Sequence, residues 1–246
     1  MDNRSEKNRK PLTAYLLEGL MIFIAVTLGF FAESFRESIS NHEKELEYVK
    51  SLISQLEQDT FRLTEAIVEN EKKIKGLDSL LALPLSEIHL SRTRYLLYKY
   101  SQMHVTYYSA FISNDATMLQ LKYSGGFLYL KRSGIADSIA YYDQVVRNLY
   151  AAEVPYAKAF YEATDALTDI LNFRALNDTI YFKNGAYTGM NPPLVSDDHE
   201  KLEILFNKIW LSRGWAKNYV DKLRQWYPYT LRLIKLLKSE YGDELA

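Results

Sequence analysis

The stretch Pro11–Ala32, PLTAYLLEGLMIFIAVTLGFFA, decides the architecture: its 22 residues carry a single charge, Glu18. At 1.5 Å per residue it makes a helix about 33 Å long, enough to cross a hydrocarbon core of roughly 30 Å. A cleaved signal peptide also starts with basic residues. This apolar run is long for one, and the charged, helix-compatible ESFRESISNHEKELEYVK follows it directly with no small-x-small cleavage site. A core helix of a soluble protein seldom needs apolar residues all round. The reading is therefore an uncleaved signal anchor, one transmembrane helix over 12–33 in contact with the lipid bilayer.

Four basic residues precede the helix (Arg4, Lys7, Arg9, Lys10), against Arg36 and Lys44 soon after it, with Glu33 and Glu37 at the exit. The positive-inside rule then expects a short basic cytoplasmic tail at 1–11 and everything beyond the span outside the cytoplasm. Glu18 lies about two turns into the span, where an ionisable group is costly and commonly marks a contact. Two readings stay open for it: a carboxyl reaching the interface, or a group facing another membrane helix or a second copy of the chain. Ala25 and Gly29 form a small-xxx-small pair that allows close helix approach.

No glycine or proline occurs between Gly29 and Gly76, so the helix is expected to continue into a stalk over 34–83. Apolar or small polar residues recur there with a 4-3 spacing, starting at Phe35. Taking Ile39 as position a, the seam opens with Ile39, His42, Leu46, Val49, Ile53 and Leu56 and runs through Asn70 to Leu81, the coiled-coil signature. In a parallel dimer Glu45 would face Lys50 and Lys73 would face Asp78, both attractive pairs. Leu52, Phe61, Val68 and Leu80 widen the stripe, as expected if the helix packs on later helices of its own chain. The distal part is expected in such an intramolecular bundle, and self-association near the membrane stays open.

Beyond Pro84, residues 84–246 read as a helical domain. Ser86 is expected to cap a helix from Glu87 to about Ile112. A short helix, ATMLQLKYS, follows Asp115 and stops at Gly125-Gly126. A long helix is expected over Ile135–Leu171, kinked at Pro155. Asn184-Gly185 between β-branched and aromatic residues predicts a small hairpin. Two further helices are expected, Asp197 to about Ser212 and Trp215 to Tyr241, the second bent at Pro228. The fold class is thus mainly α: a membrane helix, a coiled-coil-like stalk, and an extracytoplasmic helical bundle with a small hairpin.

The 246 residues hold 30 basic and 31 acidic side chains, a net of −1, without the basic surplus a nucleic-acid partner needs. The absence of cysteine excludes thiolate chemistry, disulfides and Cys-ligated metals. His42, His89, His104 and His199 fall in no ligand spacing, and no GxSxG, Walker or dinucleotide loop occurs. Asp197–Glu200 is what a helix dipole favours in a first turn. No catalytic residue, metal site or cofactor is expected. The 20 tyrosines, in runs such as Tyr95, Tyr98, Tyr100 and Tyr107-Tyr108, suit either core-edge packing or a sugar or peptide site.

The segments YLLEGLMIFIAVTLGFFAESFRE, EKELEYVKSLISQLEQDT and DATMLQLKYSGGFLYLKRSGIADSIAYYD resemble a family of uncharacterised single-pass membrane-anchored helical proteins widespread in Bacteroidota. The likeness spans most of residues 12–145. Thr117, Leu121, Ser124, Gly125 and Leu128 occupy its recurrent pattern, and Gly126 departs from it as a second glycine. The resemblance implies a bacterial inner-membrane location and carries no activity. The function expected is a non-enzymatic scaffold or accessory subunit acting through protein contacts, as a homo-oligomer or with a multi-pass partner. The alternative is a sensor or stator-like subunit that couples the outer domain to such a partner through the stalk and Glu18.

Overall fold

The computed structural model describes residues 11–184 and 186–245 and is mainly helical. Arg4, Lys7, Arg9 and Lys10, read as a cytoplasmic tail, lie outside the described residues. A single helix of 70 residues, α1 (Leu12–Leu81), runs unbroken from the apolar stretch through the whole stalk, as the absence of Gly and Pro predicts. Two more long helices complete the frame, α4 (Ile135–Thr168) and α5 (His199–Leu245). Tyr142 of α4 meets Asp59 of α1 and Tyr156 meets Asn70, so α4 runs parallel to α1. Arg213 meets Asp78 and Tyr241 meets Glu45, so α5 runs antiparallel to it.

The first part of α1 stands clear of the rest. Its apolar stretch is not covered by the body, and it is the one helix among the described residues long and apolar enough to cross a membrane. From Glu45 onward the stalk is built into the body. Val49, Leu56, Leu63, Leu77 and Leu80 are buried against α4, α5 and the elements between them. Burying a Leu or Val side chain stabilises by roughly 1.5–3 kcal/mol, so this face commits α1 to its own chain. The seam positions Val49, Ile53 and Leu56 are therefore occupied within one molecule, whereas Ile39 remains 47% exposed.

Between α1 and α4 the sequence expectation fails in one place. Residues 85–87 form a 3-10 turn, α2 spans only Ser91–Tyr100, a π-helical turn covers Ser101–Val105, and 107–115 forms neither helix nor strand, its length along α1 being that of an extended chain over 107–114. The expected helix from Glu87 to Ile112 is thus corrected at both ends, and Ser86 lies inside the 3-10 turn without capping it. Apart from Ala110 the residues TYYSAFISN are weak helix formers, and side chains of three helices hold their backbone open. The chain then turns into α3 (Ala116–Tyr123), which ends at Gly125 in the left-handed region. Gly126 is required by packing, since a Cβ there would lie 2.9 Å from the Cα of Leu121.

A second correction concerns the C-terminal part, where the sequence predicts two helices and one is found. Asp198 caps it, accepting from the backbone N–H of Lys201 at 3.0 Å. The helix passes through Gly214, whose cost of about 1 kcal/mol is outweighed by burial of Ile209, Ala216 and Tyr219 on either side. Pro228 lies on the exposed face, so the carbonyl it leaves without a helical donor is open to water. The hairpin is present: β1 (Phe182–Lys183) pairs antiparallel with β2 (Ala186–Tyr187), and Asn184 takes a positive φ of 51°. Gly185 of the predicted turn pair lies outside the described residues.

Candidate functional site: the apolar stem and the polar ladder of α1

Helical phase brings the sequence-predicted contact residues of the stem together. At 100° per residue, Glu18, Ala25 and Gly29 fall within about 20° of one line along α1. All three are exposed, and a Cβ on Gly29 would meet nothing. The early seam residues behave differently. His42, itself exposed, lies 2.9 Å from Glu244 at the end of α5, Leu46 is half-buried, and Ile39 stays open without such a contact to the body.

Further along, α1 carries four buried polar residues, Glu45, Asp59, Asn70 and Lys73. They are spaced by 14, 11 and 3 residues, which places them on one side of the helix. Each holds a non-helical piece of backbone. Glu45 accepts from the N–H of Lys131 at 3.1 Å and the hydroxyl of Tyr241 at 2.6 Å. Asp59 accepts from the N–H of Asn114 at 2.7 Å and from Tyr142 at 3.0 Å. Asn70 donates to the carbonyl of Ser109 at 2.8 Å and accepts from Tyr156 at 2.6 Å. Lys73 donates to the carbonyl of Tyr107 at 2.5 Å.

These contacts make the extended segment a rung-by-rung partner of α1. From Lys73 to Asp59 the helix advances about 21 Å, and from Tyr107 to Asn114 an extended chain covers about 23 Å. The lengths agree, so successive backbone groups meet successive side chains. Arg62 adds a donor to the carbonyl of Ile112, Tyr150 accepts from the N–H of Ser113, and Tyr219 accepts from the N–H of Phe111. Where this partly exposed segment turns its backbone inward, without a sheet or helix of its own, it must find such partners, because each buried unpaired group costs about 1–3 kcal/mol.

The ladder is electrostatically costly. Burial lowers the Lys73 ammonium to a pKa of about 7, although the rings of Phe160 and Tyr156 face it at 4.7 and 5.4 Å. Burial likewise raises Asp59, against the lowering effect of its two hydrogen bonds. His104 is lowered by burial and then by the charge of Lys73. Beside Asp59 a recess of about 20 Å³, lined also by Ser113, Asn114 and Tyr142, has room for about one water. Among the described residues no group of His, Asp and Glu is placed to hold a metal ion.

Sequence reading misses this ladder. The heptad places Asn70 in the seam, while Asp59 and Lys73 pass as flanking charges of a coiled coil. Their signal is available: polar residues recurring inside the stripe that Leu52 and Leu80 already widen. The tyrosines find their explanation here, since most of the buried ones place a hydroxyl on a ladder residue or on irregular backbone. Tyr98 does so at the far end, donating to the carbonyl of Pro193 at 2.6 Å and accepting from the N–H of Asn172 at 2.9 Å. Tyr95 stacks on Tyr187 of the hairpin at 4.3 Å. No protein-family model, curated protein or solved structure matches the chain.

Proposed function

We propose that the protein is a single-pass, signal-anchored membrane protein that acts without catalysis, as a scaffold or accessory subunit working through protein contacts in the bacterial cell envelope. One observation carries this reading: α1 is a single helix whose bare apolar stem leads straight into the core of a folded body. A stem of that length and composition is solvated by lipid, and a body so joined to it is held at the membrane surface. The basic residues before the stem support a cytoplasmic N-terminus and a periplasmic body. The Bacteroidota resemblance supports the inner membrane as the location. The partner is a second copy or a multi-pass protein that meets the face of Glu18, Ala25 and Gly29.

Purification of the full chain in mild detergent tests the reading. A stoichiometric membrane partner or a defined homo-oligomer that is lost in Glu18→Leu supports it. A monomer that leaves the membrane fraction on alkaline washing sinks it. Protease digestion of spheroplasts tests the orientation, which fails if the body stays protected.

The sensor or stator-like reading is favoured by a second observation, the ladder itself. It ties α1 to the extended segment at several points, so a displacement of the body is passed to the stem as motion of one rigid element.

A further inference from the structure

Resting on the membrane reading above, we propose that the body makes a second contact with the bilayer: the turn after α3, tipped by Tyr123 and Leu128 and flanked by Lys131 and by Lys44 of α1, seats on anionic lipid headgroups beside the stem. Tyr123 is 85% exposed and Leu128 83%, more than any other large apolar side chain among the described residues, the bare stem included. Their exposure is built in. Gly125 turns the chain, Gly126 packs against Leu121, and Tyr129 stacks on Tyr48 at 6.2 Å, so Leu128 is held outward.

The turn also faces the right way. The helix α3 descends beside α1 from Gln55, which accepts from the N–H of Thr117, to Tyr48, whose hydroxyl lies 3.2 Å from that of Ser124. The Tyr129 ring then meets Lys44 at 5.1 Å. Helical side chains lean toward the N-terminus, so this contact sits near the level of residues 40–41, roughly 13 Å beyond Ala32. Headgroups fill about 5–7 Å of that distance. An ordinary tilt of about 20° lowers a turn one helix-width off the axis by a further ~3 Å. Tyr and Leu side chains span the remainder.

Charge favours the contact through two lysines. Of the other cations beside the turn, Lys122 is paired with Asp143 and Arg132 with Glu244 at the end of α5, whereas Lys131 and Lys44 are exposed. An anionic surface attracts these two exposed ammonium groups.

The chain has no cysteine, so single labels are simply placed. Leu128→Cys, Phe23→Cys in the stem and Ile112→Cys on the body are each labelled with a fluorophore. The full chain is reconstituted alone into vesicles of phosphatidylcholine with phosphatidylglycerol, and quenching by nitroxide lipids is read. The expected result is deep quenching at Phe23→Cys, headgroup-level quenching at Leu128→Cys, none at Ile112→Cys, and a several-fold loss at Leu128→Cys in pure phosphatidylcholine. An unquenched Leu128→Cys beside a quenched Phe23→Cys overturns the second contact alone. Equal quenching with and without phosphatidylglycerol overturns the recognition of anionic headgroups. An unquenched Phe23→Cys overturns the membrane reading, and this proposal with it.

Discussion

Gly76 of α1 lies so close to the imidazole of His104 that a Cβ at Gly76 would overlap the ring at Cδ2. The glycine, in the last turns of a long helix, is there to admit a side chain from the π-helical turn. Gly76→Ala is expected to destabilise the protein, since the ring must move. In a His104→Ala background the same change gains helix propensity and stabilises by up to about 1 kcal/mol. Thermal unfolding of the four proteins in the cycle checks the reversal of sign.

Asp59 holds the N–H of Asn114 and the hydroxyl of Tyr142. Asp59→Ala leaves both without a partner and is expected to cost about 2–4 kcal/mol. Asp59→Asn keeps an oxygen for Asn114, and the Tyr142 hydroxyl can turn to accept from the new amide, so its cost should be under half as large. Denaturant titration separates the two, and equal losses would contradict this account of the ladder.

Lys73 makes stability depend on pH with a definite sign. Its pKa falls from 10.5 to about 7 on folding, so between these values the unfolded chain binds the extra proton. The penalty is complete below about pH 7, fades as pH rises and is gone near 10.5. Wild type should therefore gain stability relative to Lys73→Met by on the order of 2–4 kcal/mol between pH 7 and 10. Parallel melting curves of the two proteins cancel the titration of other groups, and a constant gap between them would refute the prediction.

The bare stem contributes nothing to the packing of the body. A chain beginning at Glu33 should be soluble without detergent and melt within a few degrees of the full-length protein in micelles. Leu56→Glu, at a position 1% exposed, should unfold that chain, while Ile39→Glu should leave its melting temperature unchanged. Circular dichroism distinguishes these outcomes.

Local signals in the sequence suffice wherever structure is decided locally. The apolar composition of 12–32, the left-handed Gly125 after α3 and the Asn184 turn all depend on residues within a few positions of themselves. The extended course of 107–114 is not of that kind. It exists because Asp59, Asn70 and Lys73 on one helix and Tyr150 and Tyr219 on two others supply its hydrogen bonds, partners between 34 and 108 residues away. The continuity of α5 through Gly214 is likewise a product of packing on both sides, which outweighs the local preference. Of the candidate site, the stem residues Glu18, Ala25 and Gly29 are legible from composition and spacing. The ladder is not, because a polar residue on a charged helix announces burial only once its partners are in place.

The unbroken course of α1 also fixes an azimuth. Glu18 and Glu45 are 27 residues apart, about seven and a half turns, so the carboxyl in the stem points to the opposite side of the helix from the flank that carries the body. A neighbour docking on Glu18, as proposed above, would approach from the open side, where the body does not overhang it. Inserting a single residue near Ser38 would swing that face by roughly 100°, whereas seven would restore it to within about 20°. Under the proposed function the helix would work as a compass needle as much as a tether, its length free to change only in steps that preserve its bearing.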